Sequence, residues 1–199
     1  MNTWLARTVM LIVAITALIR PVAAQDDVRK LFESGKYKEV VERTSGDSPP
    51  EARYLRALAY RKLDQNDQAK DAFRQLAGAG DAWRAVGESG VALVDGNTDE
   101  AINTARTAVE RNGDLAEAQF QLGRALDAKG ENAQAADAFA KAAERAPQMA
   151  YAHYQAGMSF YKAKRVDKMA VYFENFLKLA PNAPERPAVQ SIMKTVRGR

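Results

Sequence analysis

The chain carries one histidine, His153, and no cysteine. That narrows its chemistry before any fold is considered. Without cysteine there is no thiolate nucleophile, no thiolate metal site, no disulfide and no lipid anchor held through sulfur. A single imidazole does not build a histidine-rich metal centre, and a Ser-His-Asp arrangement would depend on His153 alone. Asp and Glu number 25 in 199 residues, and paired carboxylates serve general acid and base catalysis. Here they fall mostly in turns and on outer helix faces, and no pair stands out. Gly78-Ala-Gly80 lacks the further glycine and the preceding strand of a phosphate-cradling loop, and Gly87-Glu-Ser-Gly90 has no following Lys-Ser/Thr. Both clusters read as turn and helix-packing positions. The expectation is a protein with no catalytic residues, no cofactor and no metal.

The elements that position these residues are helices. The chain is rich in Ala, its apolar residues recur at three- and four-residue spacing, and no convincing strand is found. A turn hexad recurs: Gly35-Lys-Tyr-Lys-Glu-Val40, Asp64-Gln-Asn-Asp-Gln-Ala69, Gly96-Asn-Thr-Asp-Glu-Ala101, Gly130-Glu-Asn-Ala-Gln-Ala135 and Lys164-Arg-Val-Asp-Lys-Met169. The last three copies start 34 residues apart. Such a period marks a helix-turn-helix solenoid, whose units bury their apolar faces only by stacking. With breakers at Gly46-Asp-Ser-Pro-Pro50, Gly78-Ala-Gly-Asp81, Gly113-Asp114, Pro147 and Pro181-Asn-Ala-Pro184, the pattern predicts helices over residues 26–34, 37–44, 50–63, 66–77, 81–94, 98–111, 115–129, 132–145, 149–163, 166–179 and 184–197.

Two units nearly superimpose. Leu122-Gly123, Leu126, Gly130, Ala135, Phe139, Ala142 and Pro147 are answered by Ala156-Gly157, Phe160, Lys164, Met169, Phe173, Phe176 and Pro181. This resembles the tetratricopeptide repeat, with its Leu-Gly, aromatic, Ala, aromatic, Ala and Pro at fixed offsets. The resemblance implies an all-α, right-handed superhelix of about five helix pairs plus a C-terminal capping helix. The repeats span residues 26–46, 50–80, 82–114, 116–149 and 150–183, and the cap spans 184–199. Gly123 and Gly157 are expected where paired helices cross, with Phe139 and Phe173 filling the space. The unit from Ala82 departs from the pattern, with Ser89 at the crossing and Glu88 in place of Leu. The opening pair, with Leu31, Gly35, Tyr37 and Val40 matching, reads as an N-terminal cap. Val189, Ile192, Met193 and Val196 form the apolar stripe of the closing one. His153 falls where the repeat places a large packing residue, and reads as buried or half-buried.

Residues 1–24 read as a secretory signal cleaved after Ala24, with an uncleaved membrane anchor as the rival reading. Arg7 precedes a twelve-residue apolar run from Thr8 to Ile19, too short for a spanning helix, and Val22 and Ala24 supply the small residues before the cut. Export without cysteine fits a bacterial periplasm, with secretion as second choice, and no stable membrane insertion after cleavage. The formal charge of +4 falls to +2 on losing Arg7 and Arg20. Charges of both signs are interspersed, so no nucleic-acid partner is expected.

The resemblance further implies that first helices line a concave groove that binds a protein or peptide. Carried over position by position, the partner-binding residues are Tyr54, Arg61, Trp83, Phe120, Arg124, Asp127, Tyr151, Tyr154, Met158 and Tyr161, a set rich in aromatics and Arg. The Lys and Asn of the family's carboxylate clamp are absent, since Tyr54 and Leu58, Phe120 and Arg124, or Tyr154 and Met158 stand in their places. The reading is a non-enzymatic adaptor or scaffold of the bacterial cell envelope. Its rivals are a self-associating subunit of an envelope assembly, which forms a homo-oligomer, and a small envelope hydrolase.

Overall fold

The computed structural model describes residues 26–198; the signal segment expected over 1–24 lies outside them. Helix α1 covers residues 26–33. It is followed by α2 (Tyr37–Arg43), α3 (Pro50–Lys62), α4 (Asn66–Arg74), a 3-10 turn (Gln75–Ala79), α5 (Asp81–Val94), α6 (Thr98–Arg111), α7 (Ala116–Lys129), α8 (Asn132–Arg145), α9 (Ala150–Lys162), α10 (Val166–Leu179) and α11 (Arg186–Arg197). No strand occurs among the described residues, and no described helix is long and apolar enough to cross a membrane. From α2 to α11 each helix packs on its chain neighbours, and α5 also meets α7, as expected of antiparallel pairs stacked in a solenoid. The helix expected over 66–77 ends early, at Arg74, and tightens into the 3-10 turn that leads to Gly80 at φ 111°.

The hexads are helix-stop motifs. In every copy the first residue is left-handed: Gly35, Gly96 and Gly130 at φ 75°, 83° and 84°, and Asp64 and Lys164 at 57° and 59°. The next amide donates to the carbonyl five residues back, as in Lys36 to Leu31 (3.0 Å), Gln65 to Tyr60, Asn97 to Ala92, Glu131 to Leu126 and Arg165 to Phe160 (each 2.9 Å). This six-to-one bond satisfies a carbonyl that the ending helix would otherwise orphan.

Small residues sit where helices cross. A Cβ on Gly123 would lie 2.6 Å from the Phe139 ring, and one on Gly157 would lie 2.4 Å from the Phe173 ring. Ser89 keeps the same register in the divergent unit: it is fully buried, and its hydroxyl donates to the Ala101 carbonyl of α6 at 2.8 Å. Gly87 and Gly90 face the other way, onto Phe73 of α4, whose carbonyl oxygen and ring would meet added Cβ atoms at 2.3 and 2.4 Å. Those glycines are thus helix-packing positions. Of the C-terminal stripe, Val189 and Met193 are buried and Ile192 and Val196 are packed beside them. The Arg186 guanidinium donates to the Leu177 and Ala180 carbonyls that end α10.

The array also closes on itself. A Cβ on Gly35, in the turn after α1, would stand 3.2 Å from the Pro184 side chain. The Lys62 ammonium at the end of α3 lies 3.7 Å from the Glu185 carboxylate. The two ends, which a self-stacking array would offer to neighbouring copies, therefore meet within one chain.

Candidate functional site

The first helices α3, α5 and α7 meet on the inner face through a buried polar chain. The Tyr54 hydroxyl donates to Gln121 Oε1 at 2.8 Å, Gln121 Nε2 donates to Ser89 Oγ at 3.1 Å, and Arg124 adds a donor to Gln121 Oε1 at 3.0 Å. Tyr54, Gln121 and Ser89 are all fully buried. Each side-chain polar atom of Tyr54, Gln121 and Ser89 has a partner, which is the condition under which a buried network stabilises rather than costs. Burial pushes the Tyr54 hydroxyl up to about 12, so it stays a donor.

Helix α1 covers this face. Phe32, 2% exposed, packs edge-on against Tyr151 of α9 with centroids 5.3 Å apart, and likewise against Tyr37. Glu33 accepts a hydrogen bond from the Ala150 amide at 2.9 Å, so a carboxylate from α1 caps the N-terminus of α9. Burial lifts the Glu33 carboxyl to about 7, against the opposing pull of the Ala150 and Tyr151 amides and of Arg29 and Lys30. Glu117, the nearby buried carboxylate on α7, is raised for the same reason, with Glu51 adding to it. On the far side the Tyr151 hydroxyl donates to Glu185, and burial together with that carboxylate raises its pKa. The Lys62 ammonium sits over the Tyr151 ring at 5.1 Å.

The ten residues expected in an open groove therefore divide. Tyr54, Trp83, Phe120 and Tyr151 are buried, at 0, 8, 1 and 4% exposure. As a correction to the sequence expectation, none of these four is an open surface: Tyr54, Phe120 and Tyr151 form the floor beneath α1 around Phe32, and Trp83 packs against Tyr54 with centroids 6.3 Å apart. Arg61, Arg124, Asp127, Tyr154 and Met158 are half-buried. Tyr161, 41% exposed, is the most open. The aromatic stripe of α9 thus runs from covered at Tyr151 to open at Tyr161. Asp127 pairs with Lys162 at 2.6 Å. A recess of about 190 Å³ remains beside α1, lined by Phe32, Leu58, Phe120 and Tyr151 and edged by Arg61, Lys62, Arg124 and Gln155. Sequence reasoning missed Phe32, Glu33, Gln121 and Glu185. The only sequence signal among them is the pairing of Val28 with Phe32 four positions on, which marks an apolar face on α1.

His153 is 8% exposed, as a packing histidine should be. Its Nε2 lies 3.1 Å from the Pro147 carbonyl, and burial lowers its pKa, so the ring is a neutral donor to that oxygen. It borders a recess of about 620 Å³ between α8, α9 and α10, and a counterpart of about 380 Å³ lies between α4, α5 and α6. These crevices recur between second helices of successive units.

One tetratricopeptide repeat model matches residues 91–150 and 120–184, and a second tetratricopeptide repeat model matches residues 51–78. No curated protein matches the chain. Among solved structures, a crystal structure of MamA is 19% identical over 72% of this chain and 84% of that one, with a TM-score of 0.49. MamA from Desulfovibrio magneticus RS-1, from position 41 to its end, is 17% identical over 81% and 95% of the two chains, at 0.49. A MamA AMB-1 structure is 23% identical over 81% and 99%, at 0.47.

Proposed function

The chain belongs to the tetratricopeptide repeat family and is a protein-interaction scaffold, and from that premise we propose an exported, non-enzymatic adaptor of the bacterial cell envelope that holds a partner polypeptide on its inner face. The observation that carries this reading is the open end of the α9 stripe. Tyr154, Met158 and Tyr161 present large side chains there that the fold does not fully cover. Arg124 stands on the neighbouring first helix, and Arg61 and Lys62 edge the adjoining recess. Aromatics and Arg at the margin of a rigid recess are the usual anchors of protein contacts. The cationic edge favours a partner segment that brings carboxylates along with apolar side chains. Placement in the envelope rests on the signal-like segment over residues 1–24 and on the absence of cysteine.

The test is a cross-linking pull-down from the native envelope, read by mass spectrometry, comparing Arg124→Glu and Tyr161→Ala with the outer-face change Lys141→Ala. Loss of an anchor is expected to weaken capture roughly thirtyfold, while Lys141→Ala leaves it unchanged. Equal capture by all three removes the inner face as the binding surface. N-terminal sequencing of the native protein checks export separately, with Gln25 expected as the first residue.

A further inference from the structure

We infer that α1 is a displaceable occupant of the inner groove, and that the groove takes in its place a short amphipathic helix of a partner polypeptide bearing an apolar residue, an aromatic four positions on and a carboxylate directly after it. The inference rests on the adaptor reading and deepens it by naming the partner segment. α1 itself supplies the template. Val28 and Phe32 are its buried anchors, and Glu33 caps α9 through Ala150, while Asp26, Asp27 and Lys30 face solvent.

Three observations make α1 an occupant rather than a fixed wall. It is eight residues long, too short to hold helical structure by itself, so its order comes from the seat. Its partner in the pair, α2, has only seven residues, of which Val40 alone is buried, whereas α7 packs against α5, α6 and α8. The seat is also larger than α1 fills, because the recess of about 190 Å³ opens beside Phe32 and is lined by the same Leu58, Phe120 and Tyr151 that enclose its ring. A partner helix that fills both the Phe32 seat and that recess contacts more than α1 does, and a carboxylate there meets Arg61, Lys62 and Arg124. Such a partner competes with a tethered rival whose effective concentration is on the order of millimolar, which sets a threshold against weak ligands.

The experiment uses the purified full chain and a fluorescent peptide of residues 26–36, Asp-Asp-Val-Arg-Lys-Leu-Phe-Glu-Ser-Gly-Lys, followed by anisotropy. In the parent the resident α1 excludes the peptide. In Phe32→Ala the vacated seat is expected to bind it at least about thirtyfold more tightly than the parent does, and a peptide with Ala at the Phe32 position does not bind. A folded Phe32→Ala protein that binds the peptide no better than the parent overturns the inference. A parent that forms a concentration-dependent dimer lost in Phe32→Ala assigns the groove to a second copy and overturns it too. Should Phe32→Ala fail to fold, hydrogen exchange on the parent decides. Amides of residues 30–33 exchanging about a hundredfold faster than those of α7 and α9 support an occupant, and equal protection makes α1 part of the core. Pull-down by the parent reports on the adaptor reading separately, since a partner held at Tyr161 and Arg124 is captured whether or not α1 moves.

Discussion

The ring of Phe32, in the first helix, stands edge-on to that of Tyr151, in the last repeat, with 5.3 Å between centroids. This contact joins the two ends of the array, and the adjacent residue, Glu33, completes it by capping α9 at the Ala150 amide. A solenoid in which each unit touches only its neighbours has no such contact.

The Glu33 seat makes docking of α1 pH-dependent. Burial raises its carboxyl from 4.5 to about 7, so between those values the folded state holds a proton that the unfolded chain has lost. Stability therefore falls as pH rises from about 4.5 to 7 and levels off above. The groups facing Glu33 are Arg29 and Lys30 on α1, Glu117 on α7 and the Ala150 and Tyr151 amides of α9. Glu117 shifts in the same direction and contributes a slope of the same sign. Urea titrations across this window are expected to show a steeper decline for the parent than for Glu33→Gln. Identical slopes would mean that the carboxylate is solvated.

Crossing glycines and turn glycines differ in kind. Gly123→Val drives a branched side chain into the Phe139 ring, where even a Cβ would sit 2.6 Å away, and is expected to cost about 1 to 3 kcal/mol or more. Gly96→Ala meets no atom within 4 Å and suffers only from its φ of 83°, a loss of about 1 kcal/mol. Denaturation midpoints measured side by side check the order.

Lys164 and Asp64 hold left-handed backbones that glycine adopts freely. Lys164→Gly and Asp64→Gly are expected to stabilise by a few tenths to about 1 kcal/mol, the gain in the turn being partly offset by the greater freedom of glycine in the unfolded chain. A lowered melting temperature in both would show that the side chains contribute more than the backbone strain removes.

Gln121 is the hub of the inner polar chain. Gln121→Leu strands the buried Tyr54 hydroxyl and is expected to cost about 1 to 3 kcal/mol. In a Tyr54→Phe background the same change should cost distinctly less. A double-mutant cycle measures the difference, and additive effects would deny the coupling.

The sequence by itself determined the units and their internal joints. The five hexads mark left-handed helix stops because the six-to-one hydrogen bond is closed within each turn. The pairing of Gly123 with Phe139, and of Gly157 with Phe173, is legible because those residues belong to one helix pair and their spacing recurs. The capping stripe at Val189 and Met193 is likewise a local periodicity. What tertiary structure decided is which inner-face residues stay open. Tyr54 and Phe120 are aromatics in the same register as Tyr154, each the fifth residue of its first helix, yet they are buried and Tyr154 is only half-buried. The difference comes from contacts between helices far apart in sequence: Tyr54 with Gln121, Phe32 with Tyr151, Lys62 with Glu185. Whether such groups meet depends on the small rotation between successive repeats summed over the whole array, a quantity that no single unit of the pattern contains.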